Sequence, residues 1–192
     1  MSVNKTQSLK EPASASRPTT LNILFVCTTN ACRSQIAEGW ARALHRDAVN
    51  IFSAGVLSTE LNPNAVQVMS EVGIDMGHHV SKAVTAEDFE AADIIVTVCE
   101  QADRRCPPLP AGKIKYHWPI KNPVTARDKV MTEKEHREEL EAMRQCRDEI
   151  QKRILILFQM EGISYTAAKS GESLQQASSP SVSTHSSAVV VS

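Results

Sequence analysis

The sequence predicts an α/β fold, a three-layer sandwich in which helices cover both faces of a four-stranded parallel sheet. Short apolar runs of strand type alternate with amphipathic segments of helix type between residues 21 and 162. Strands that alternate with helices form βαβ units, whose strands are parallel. The run IIVTVC after Asp93 is apolar throughout, which is typical of a strand buried on both faces.

Each element is predicted from its own pattern. The predicted strands are residues 21–26, 49–52, 94–99 and 114–118. The predicted helices are residues 34–46, a helix opened by Asn62-Pro63 and stopped by Gly73, residues 85–92 with Thr85 and Asp88 as a capping box, and residues 132–160.

Composition excludes several classes of function. The 192 residues carry 21 basic and 22 acidic side chains, a net charge of −1, so no nucleic-acid or membrane-surface partner is expected. No apolar run approaches the roughly 20 residues that span a bilayer, and the N-terminus has no apolar signal region. A cytoplasmic protein is predicted. In a reducing compartment, grouped cysteines are more often catalytic or redox-active than paired in structural disulfides. The five cysteines of this chain are therefore candidates for such roles.

The two ends are predicted to be disordered tails around one domain. Residues 1–20 are polar, and residues 163–192 are rich in serine and nearly uncharged. Such segments bury too little apolar area to offset the entropy of ordering them. The predicted folded domain is therefore residues 21–162.

The strongest local motif is the segment of residues 27–34, in which a cysteine and an arginine lie on a loop that runs directly from the first predicted strand into the first predicted helix. Its backbone N–H groups and the helix N-terminus point at a common centre, where an oxyanion would bind. Arg33 is suited to grip two oxygens, and the same positive field favours the thiolate of Cys27. A buried structural cysteine beside a surface arginine remains the alternative. The predicted oxyanion-binding residues of this loop are Thr28, Thr29, Asn30, Ala31, Cys32, Arg33 and Ser34.

Two further residues fall at the carboxyl ends of predicted strands. In open α/β sheets ligands bind beyond these ends. Cys99 and Trp118 therefore share one rim of the sheet with Cys27.

A wider set of motifs resembles a known family. The segments VCTTNACRSQIAEGWAR, FSAG, NPNAV, EVGID, VTVCEQADRRCP and YHWPIKNP occur in the order seen in thioredoxin-coupled arsenate reductases, which have the low-molecular-weight protein tyrosine phosphatase fold. The resemblance covers nearly all of the middle of the chain and neither tail. The resemblance implies the low-molecular-weight protein tyrosine phosphatase fold. It also implies that arsenate is the substrate, that thioredoxin is the reductant and that no cofactor is used.

The resemblance also implies a role for each matching cysteine. Cys27 would attack arsenate, Cys99 would attack the Cys27 sulfur with release of arsenite, and Cys106 would move the disulfide to Cys99–Cys106. The polar segment EQADRR between Cys99 and Cys106 could loop out as the disulfide moves, and Arg104 and Arg105 are candidates for promoting the thiolate.

Other matching residues would support the loop. Asn30 and Ser53 would hold it in its strained shape, with Glu38 nearby, and Ser34 would hydrogen-bond the sulfur. Lys82 stands where some relatives place an acid that binds potassium, so no metal is predicted.

Two neighbouring positions depart from the phosphatases of the family: Val124 replaces a tyrosine that often follows the proline, and Asn122 replaces the acid. The family's general acid is an aspartate before a proline, and this chain has Asn122, which cannot donate a proton as an acid but can bind the oxyanion. Losing such an acid costs a phosphatase about 10²–10⁴-fold, so the change favours reductase over phosphatase. Asp128 is the nearest substitute acid.

Several alternatives stay open. The protein could be a tyrosine phosphatase, a non-catalytic oxyanion binder, or a reductase that uses a low-molecular-weight thiol with glutaredoxin. A zinc site could join Cys99 and Cys106 to His78, His79 or His117, although the spacings are unlike structural zinc knuckles. Cys32 and Cys146 are predicted to be inert, His117 and Trp118 to be rim structure, and His78 and His79 to lie at the surface.

Overall fold

The computed structural model describes residues 20–124 and 130–166. Within these ranges the strands are β1 (Leu21–Cys27), β2 (Val49–Gly55), β3 (Ile94–Thr97) and β4 (Ile114–His117). The helices are α1 (Arg33–Leu44), α2 (Pro63–Ser70), α3 (Ala86–Ala91), α4 (Glu100–Arg105) and α5 (Glu133–Glu161).

The sheet confirms the predicted architecture. Its strand order is β2-β1-β3-β4 and every pair is parallel. The chain steps one way from β1 to β2 and the other way from β2 through β3 to β4. Right-handed crossovers therefore place α1 on one face and α3 and α4 on the other. Helix α5 packs on α1 and α2, which completes the first helical layer.

The predicted helix starts are confirmed by their caps. The Asn62 side chain accepts the backbone N–H groups of Asn64 and Ala65 at the start of α2. Capping boxes join Thr85 to Asp88 in α3 and Thr132 to Glu135 in α5. Each cap satisfies backbone donors that the first helical turn leaves without a partner.

Several boundaries differ from the sequence prediction, and three of them bear on the site. Strand β2 continues to Gly55 because Ser53 and Ala54 still pair with β1 in the interior. Helix α2 ends at Ser70, before Gly73. Strand β3 ends at Thr97, two residues before Cys99, and the next segment is helical.

That segment is helix α4, which the sequence prediction missed. Its first turn carries Glu100 and Asp103, and its last turn carries Arg104 and Arg105. This charge order stabilises a helix through its macrodipole, although six residues give little periodicity to detect. The two resolving-cysteine candidates, Cys99 and Cys106, are its caps.

The described part of the chain continues past residue 162, the predicted end of the folded domain, to residue 166. Helix α5 ends at Glu161 and is capped by Gly162, which has φ 65°, and the chain then returns to the end of α1. Thr166 donates to the Leu44 carbonyl, and Ile163 is buried. Residues 1–19, residues 167–192 and Asp128 lie outside the described part of the chain, so their predicted roles stay predictions.

Among the described helices, none combines the length and the apolar character needed to cross a bilayer.

Candidate active site

Cys27 is the last residue of β1 and lies inside the loop that leads to α1. It is 3% exposed. Its Sγ lies 2.8 Å from Ser34 Oγ and accepts the backbone N–H of Asn30 at 3.2 Å. Two polar groups therefore converge on the sulfur, and both can donate to a thiolate.

Asn30 holds this loop by four side-chain hydrogen bonds. Its φ of 49° is in the left-handed region, which asparagine tolerates better than most residues. Its Oδ1 accepts from the Lys82 backbone N–H at 2.9 Å and from Gln35 Nε2 at 3.0 Å. Its Nδ2 donates to Ser34 Oγ and Ser53 Oγ at 2.9 and 2.8 Å.

These contacts fix the direction of the Ser34 hydroxyl. A backbone N–H can only donate, so the Lys82 contact identifies Asn30 Oδ1 as the acceptor end of the amide. Asn30 Nδ2 then donates to Ser34 Oγ, and the Ser34 hydrogen is left for the Cys27 sulfur. The pairing of Asn30 with Ser53 and the Ser34 contact agree with the sequence prediction.

His79 extends the network and corrects its predicted surface position. Its ring is buried, and Nδ1 lies 2.7 Å from Gln35 Oε1. Burial is the largest cause that lowers the His79 pKa to about 4, so the ring is neutral at pH 7. His78 is exposed, as predicted.

The Lys82 side chain does not enter the loop. Its ammonium pairs with Asp88 Oδ1 at 2.6 Å and lies 5.4 Å from the Phe52 ring centroid, while its backbone N–H supports Asn30. Glu38 lies behind the loop, where burial raises its pKa and Arg42 pairs with it at 2.7 Å.

Arg33 begins α1 and joins the loop to the segment after β4. Its Nη1 donates to the Ile120 carbonyl at 3.0 Å, which uses one of its five N–H groups. This segment brings Asn122 into the same cavity as Cys27 and Arg33, where the Asn122 side chain donates to the Val124 carbonyl at 3.1 Å. The cavity is about 630 Å³.

Cys99 lies beside the loop of Cys27, just beyond the end of the neighbouring strand β3. Its Sγ is 3.3 Å from Oγ1 of Thr28, the residue that follows Cys27. Cys99 is buried, and the shared rim predicted for Cys27 and Cys99 is confirmed. Thr28 therefore contacts the second sulfur, whereas Thr29, Ala31 and Cys32 line the cavity of Cys27.

Cys106 lies at the far end of α4 and is half-buried. Its thiol contacts the Pro107 carbonyl at 3.6 Å, and burial raises its pKa. The nearby charges that act on it are those of Lys115 and Asp103. Arg104 instead pairs with Glu100 in solvent, so the predicted help of Arg104 to a thiolate finds no support.

The other two thiols are buried, Cys32 at the wall of the cavity and Cys146 on α5. Burial raises the pKa of Cys32 well above its usual value, and its thiol contacts Met143 Sδ at 3.2 Å. Burial likewise raises the pKa of Cys146 to about 12. A protonated thiol is a poor nucleophile, which agrees with the prediction that both are inert.

Comparison with known proteins identifies the family. A sequence model of the low molecular weight phosphotyrosine protein phosphatases matches residues 22–164, which is most of the chain. The chain belongs to this phosphatase family. Among its relatives, arsenate reductase 1 of Staphylococcus epidermidis is 45% identical over 102 residues, 53% of this chain and 77% of that protein.

Two further relatives are also arsenate reductases. That of Halalkalibacterium halodurans is 40% identical over 132 residues, which cover 69% of this chain and 91% of that protein. Among solved structures, a thioredoxin-dependent arsenate reductase of Corynebacterium glutamicum aligns with a TM-score of 0.58 at 26% identity, over 77% of this chain. The chain covers 63% of that protein, less than two thirds of its length.

One wall of the cavity in this phosphatase-family protein was missed from the sequence. Glu139 on α5 is 5% exposed and lines the cavity. Its carboxylate accepts a hydrogen bond from Asn64 Nδ2 at 2.9 Å. His136, one helical turn earlier, also lines the cavity. The signal was available, because residue 139 falls on the apolar stripe of α5 that continues at Met143 and Ile150. A carboxylate on such a stripe is unusual enough to mark a site.

The metal alternative gains no support from the geometry. In the described ranges, no group of three or more His, Cys, Asp or Glu side chains is arranged to hold a metal ion. His117 instead lies 2.9 Å from Thr97 Oγ1 at the rim, and Trp118 packs on Phe25 with ring centroids 5.9 Å apart.

Proposed function

We propose that the protein reduces arsenate to arsenite, with Cys27 as the nucleophile and Cys99 and Cys106 as resolving thiols. The observation that carries the proposal is the contact of Cys99 Sγ with Thr28 at 3.3 Å. It sets a second sulfur beside the nucleophile before any movement of the chain. A phosphatase needs no such second thiol.

The first half of the reaction uses the loop. The Cys27 thiolate attacks the arsenic atom, one oxygen leaves as water, and the adduct is held by Arg33 and the backbone N–H groups of residues 28–34. The Cys99 thiolate then attacks Cys27 Sγ. The sulfur–arsenic bond breaks with its electron pair on arsenic, so As(V) becomes As(III) and two thiolates become the Cys27–Cys99 disulfide.

The second half requires α4 to change shape. Cys99 and Cys106 are seven residues apart along a helix, a separation of about 10 Å at about 1.5 Å per residue. Their Cα atoms must come within about 7 Å in a disulfide. The helix therefore unwinds when Cys106 attacks Cys99 and Cys27 is released as a thiolate.

Asn122 favours arsenate over phosphate esters as the substrate. The leaving group of arsenate is hydroxide or water, which takes a proton from the oxyanion itself or from solvent. An alkoxide leaving group depends on an acid in the protein, and the amide of Asn122 cannot serve as one. Its place on the cavity wall suits hydrogen bonding to the bound oxyanion.

Thioredoxin is the reductant that resets the Cys99–Cys106 disulfide in this proposal. The thioredoxin-dependent relative from Corynebacterium glutamicum supports it, as do two resolving cysteines that make a mixed disulfide with a small thiol unnecessary. A cytoplasmic location fits the same chemistry, because five free thiols persist in a reducing compartment.

The test is arsenite production with thioredoxin, thioredoxin reductase and NADPH, run beside glutathione with glutaredoxin. Cys27→Ser and Cys99→Ser should abolish arsenite release. Cys106→Ser should give about one arsenite per enzyme and then stop, because the first disulfide forms without it. Cys146→Ala, a buried thiol outside the relay, is the matched control and should keep turnover. Full turnover by Cys99→Ser or Cys106→Ser would disprove the relay.

The family membership makes tyrosine phosphatase the second candidate, and Asn122→Asp separates the two. Restoring the carboxyl should raise hydrolysis of an aryl phosphate by about 10²-fold or more, since a general acid contributes about 10²–10⁴-fold. Equal phosphatase activity in the parent and the variant would show that residue 122 is not the acid position, and high activity in the parent would favour the phosphatase.

A further inference from the structure

Helix α4 is held by few contacts of its own. Its six residues include one buried side chain, Ala102, and its cap residue Cys99 makes no side-chain capping hydrogen bond. Backbone bonds run from Asp103 N–H to the Cys99 carbonyl at 3.1 Å and from Cys106 N–H to the Asp103 carbonyl at 3.3 Å. A helix this short is unstable in water without tertiary contacts.

Asp103 supplies the polar contact between this helix and the sheet. Its Oδ1 accepts from Thr97 Oγ1 of β3 at 2.7 Å and from Lys115 Nζ of β4 at 2.9 Å. His117 Nδ1 of β4 lies 3.5 Å from the same oxygen and 2.9 Å from Thr97 Oγ1. The hydrogen bonds from Lys115 and Thr97 hold the Asp103 pKa below its usual value, as expected for a stabilised carboxylate.

We propose that Asp103 is a positioning residue that tethers α4 to the sheet and thereby sets the thiol–disulfide equilibrium of Cys99 and Cys106. The proposal rests on the relay proposed above. Asp103 lies midway between the two cysteines, and its backbone takes part in both hydrogen bonds that close the helix. The helix cannot unwind around it while its side chain stays on Thr97 and Lys115.

The redox step that the tether opposes is balanced within the chain. The Cys106 thiol loses its proton to solvent, and its sulfur attacks Cys99 Sγ of the Cys27–Cys99 disulfide. The Cys99–Cys106 bond forms, the Cys27–Cys99 bond breaks, and Cys27 leaves with the electron pair as a thiolate. No net oxidation occurs in this transfer, so its equilibrium depends on the stability of the two chain conformations.

The tether acts on one side of the thiol–disulfide equilibrium between reduced Cys99 and Cys106 and the Cys99–Cys106 disulfide. It exists in the helical dithiol form and is lost in the unwound disulfide form. Removing it therefore destabilises the dithiol relative to the disulfide, which lowers the reduction potential of the pair. By the same reasoning, the tether makes the oxidised enzyme easier for a dithiol reductant to reset.

The experiment measures this equilibrium directly in the Cys27→Ser background, where Cys99 and Cys106 can pair without the nucleophile. The protein is equilibrated with mixtures of reduced and oxidised glutathione, in which the dithiol passes two electrons to oxidised glutathione and yields two reduced molecules. Asp103→Ala should shift the equilibrium constant about tenfold toward the disulfide, which corresponds to about 30 mV. Asp103→Asn, which can still accept from Thr97, should shift it by a smaller factor.

The variant Lys115→Met distinguishes the tether from a direct effect of the Asp103 charge on the Cys106 thiol. The Asp103 charge raises the Cys106 pKa, whereas the Lys115 charge lowers it, so an electrostatic effect on the thiol would give the two variants opposite signs. The tether predicts a shift toward the disulfide for both. Glu100→Gln is the matched control, since this carboxylate of α4 is 70% exposed and pairs with Arg104 of the same helix; it should shift the constant less than twofold.

Amide hydrogen exchange of Asp103 and Cys106 gives a second readout. Both amides should exchange about tenfold faster in Asp103→Ala and at the parent rate in Glu100→Gln. If the Cys99–Cys106 disulfide forms but Asp103→Ala leaves its equilibrium within twofold of the parent, the tether is wrong and the relay stands. If the disulfide never forms in the parent, the relay falls and the redox role of Asp103 falls with it.

Discussion

The two cysteine-bearing segments of the site are held in opposite ways. The loop of Cys27 is buried, and the Asn30 side chain alone makes four hydrogen bonds to β2, α1 and the segment before α3. Helix α4, which separates Cys99 from Cys106, has one buried side chain and one polar tether, Asp103, to the sheet. An oxyanion must be oriented by fixed donors, whereas a sulfur that travels needs a segment that opens at low cost.

The largest effect is expected where the rigid loop loses its central support. Asn30→Ala removes the four hydrogen bonds and places alanine at a positive φ, so the N–H groups no longer converge. We expect kcat/KM for arsenate to fall about 10²–10³-fold, the usual effect of disturbing preorganised donors. Steady-state kinetics with Asn50→Ala, whose amide contacts Asn22 at the surface, provide the control. A loss of less than tenfold would show that the loop keeps its shape without Asn30.

The second test concerns Gly55, the last residue of β2, which packs against the same loop. An added Cβ at Gly55 would lie 2.3 Å from the Leu57 carbonyl oxygen and 2.5 Å from the Asn30 backbone nitrogen, both main-chain atoms that cannot turn aside. Gly55→Ala should lower the free energy of unfolding by about 3 kcal/mol, measured in urea. At Gly77 the nearest atom is the end of the Asp75 side chain, so Gly77→Ala should cost much less. Equal losses in the two variants would contradict a rigid loop.

Because His79 is buried behind the loop, its protonation should make the free energy of unfolding depend on pH. Its pKa is about 4 when folded and near 6.5 when unfolded, so the unfolded chain binds the proton first. Stability is therefore full above about pH 6.5 and falls between pH 6.5 and 4, by about 3 kcal/mol. His79→Asn keeps a donor for Gln35 without titrating, and its urea midpoint should change less over this range. The same pH slope in both proteins would assign the effect to other groups.

The smallest effect is expected in α4. Ala102→Gly should raise amide exchange in α4 about fivefold, from a helix penalty of about 1 kcal/mol, and change global unfolding by less than about 0.5 kcal/mol. Ala37→Gly, in the buried face of α1, is the matched change and should lower global stability by about 1 kcal/mol or more. Equal global losses would show that α4 unfolds only with the whole domain.

The fold was predictable because its signals are local and repeated. The apolar run Ile94–Thr97, the cap at Asn62 and the capping boxes at Thr85 and Thr132 each identify an element within a few residues. Parallel connections then leave few possible sheets. The loop from Cys27 to Arg33 was predictable for the same reason, since its residues are contiguous.

What the sequence did not predict depends on long-range contacts or on short elements. Helix α4 lacks a full period of pattern, and its Asp103 is stabilised by residues of two other strands. His79 looked like a turn residue because its partner Gln35 is 44 positions away. Glu139 reaches the cavity only because α5 packs across α1 and α2.

The size of the cavity beside Cys27 has a practical consequence. At about 630 Å³ it falls within the range of clefts that hold drug-sized molecules, and a five-atom oxyanion bound beside Cys27 would fill only part of it. The remaining space faces the acidic and imidazole side chains of Glu60, Glu139 and His136. An inhibitor that joins an anionic head to a cationic arm would use both parts of this space, and its selectivity would come from the arm, because the head group fits any member of the family.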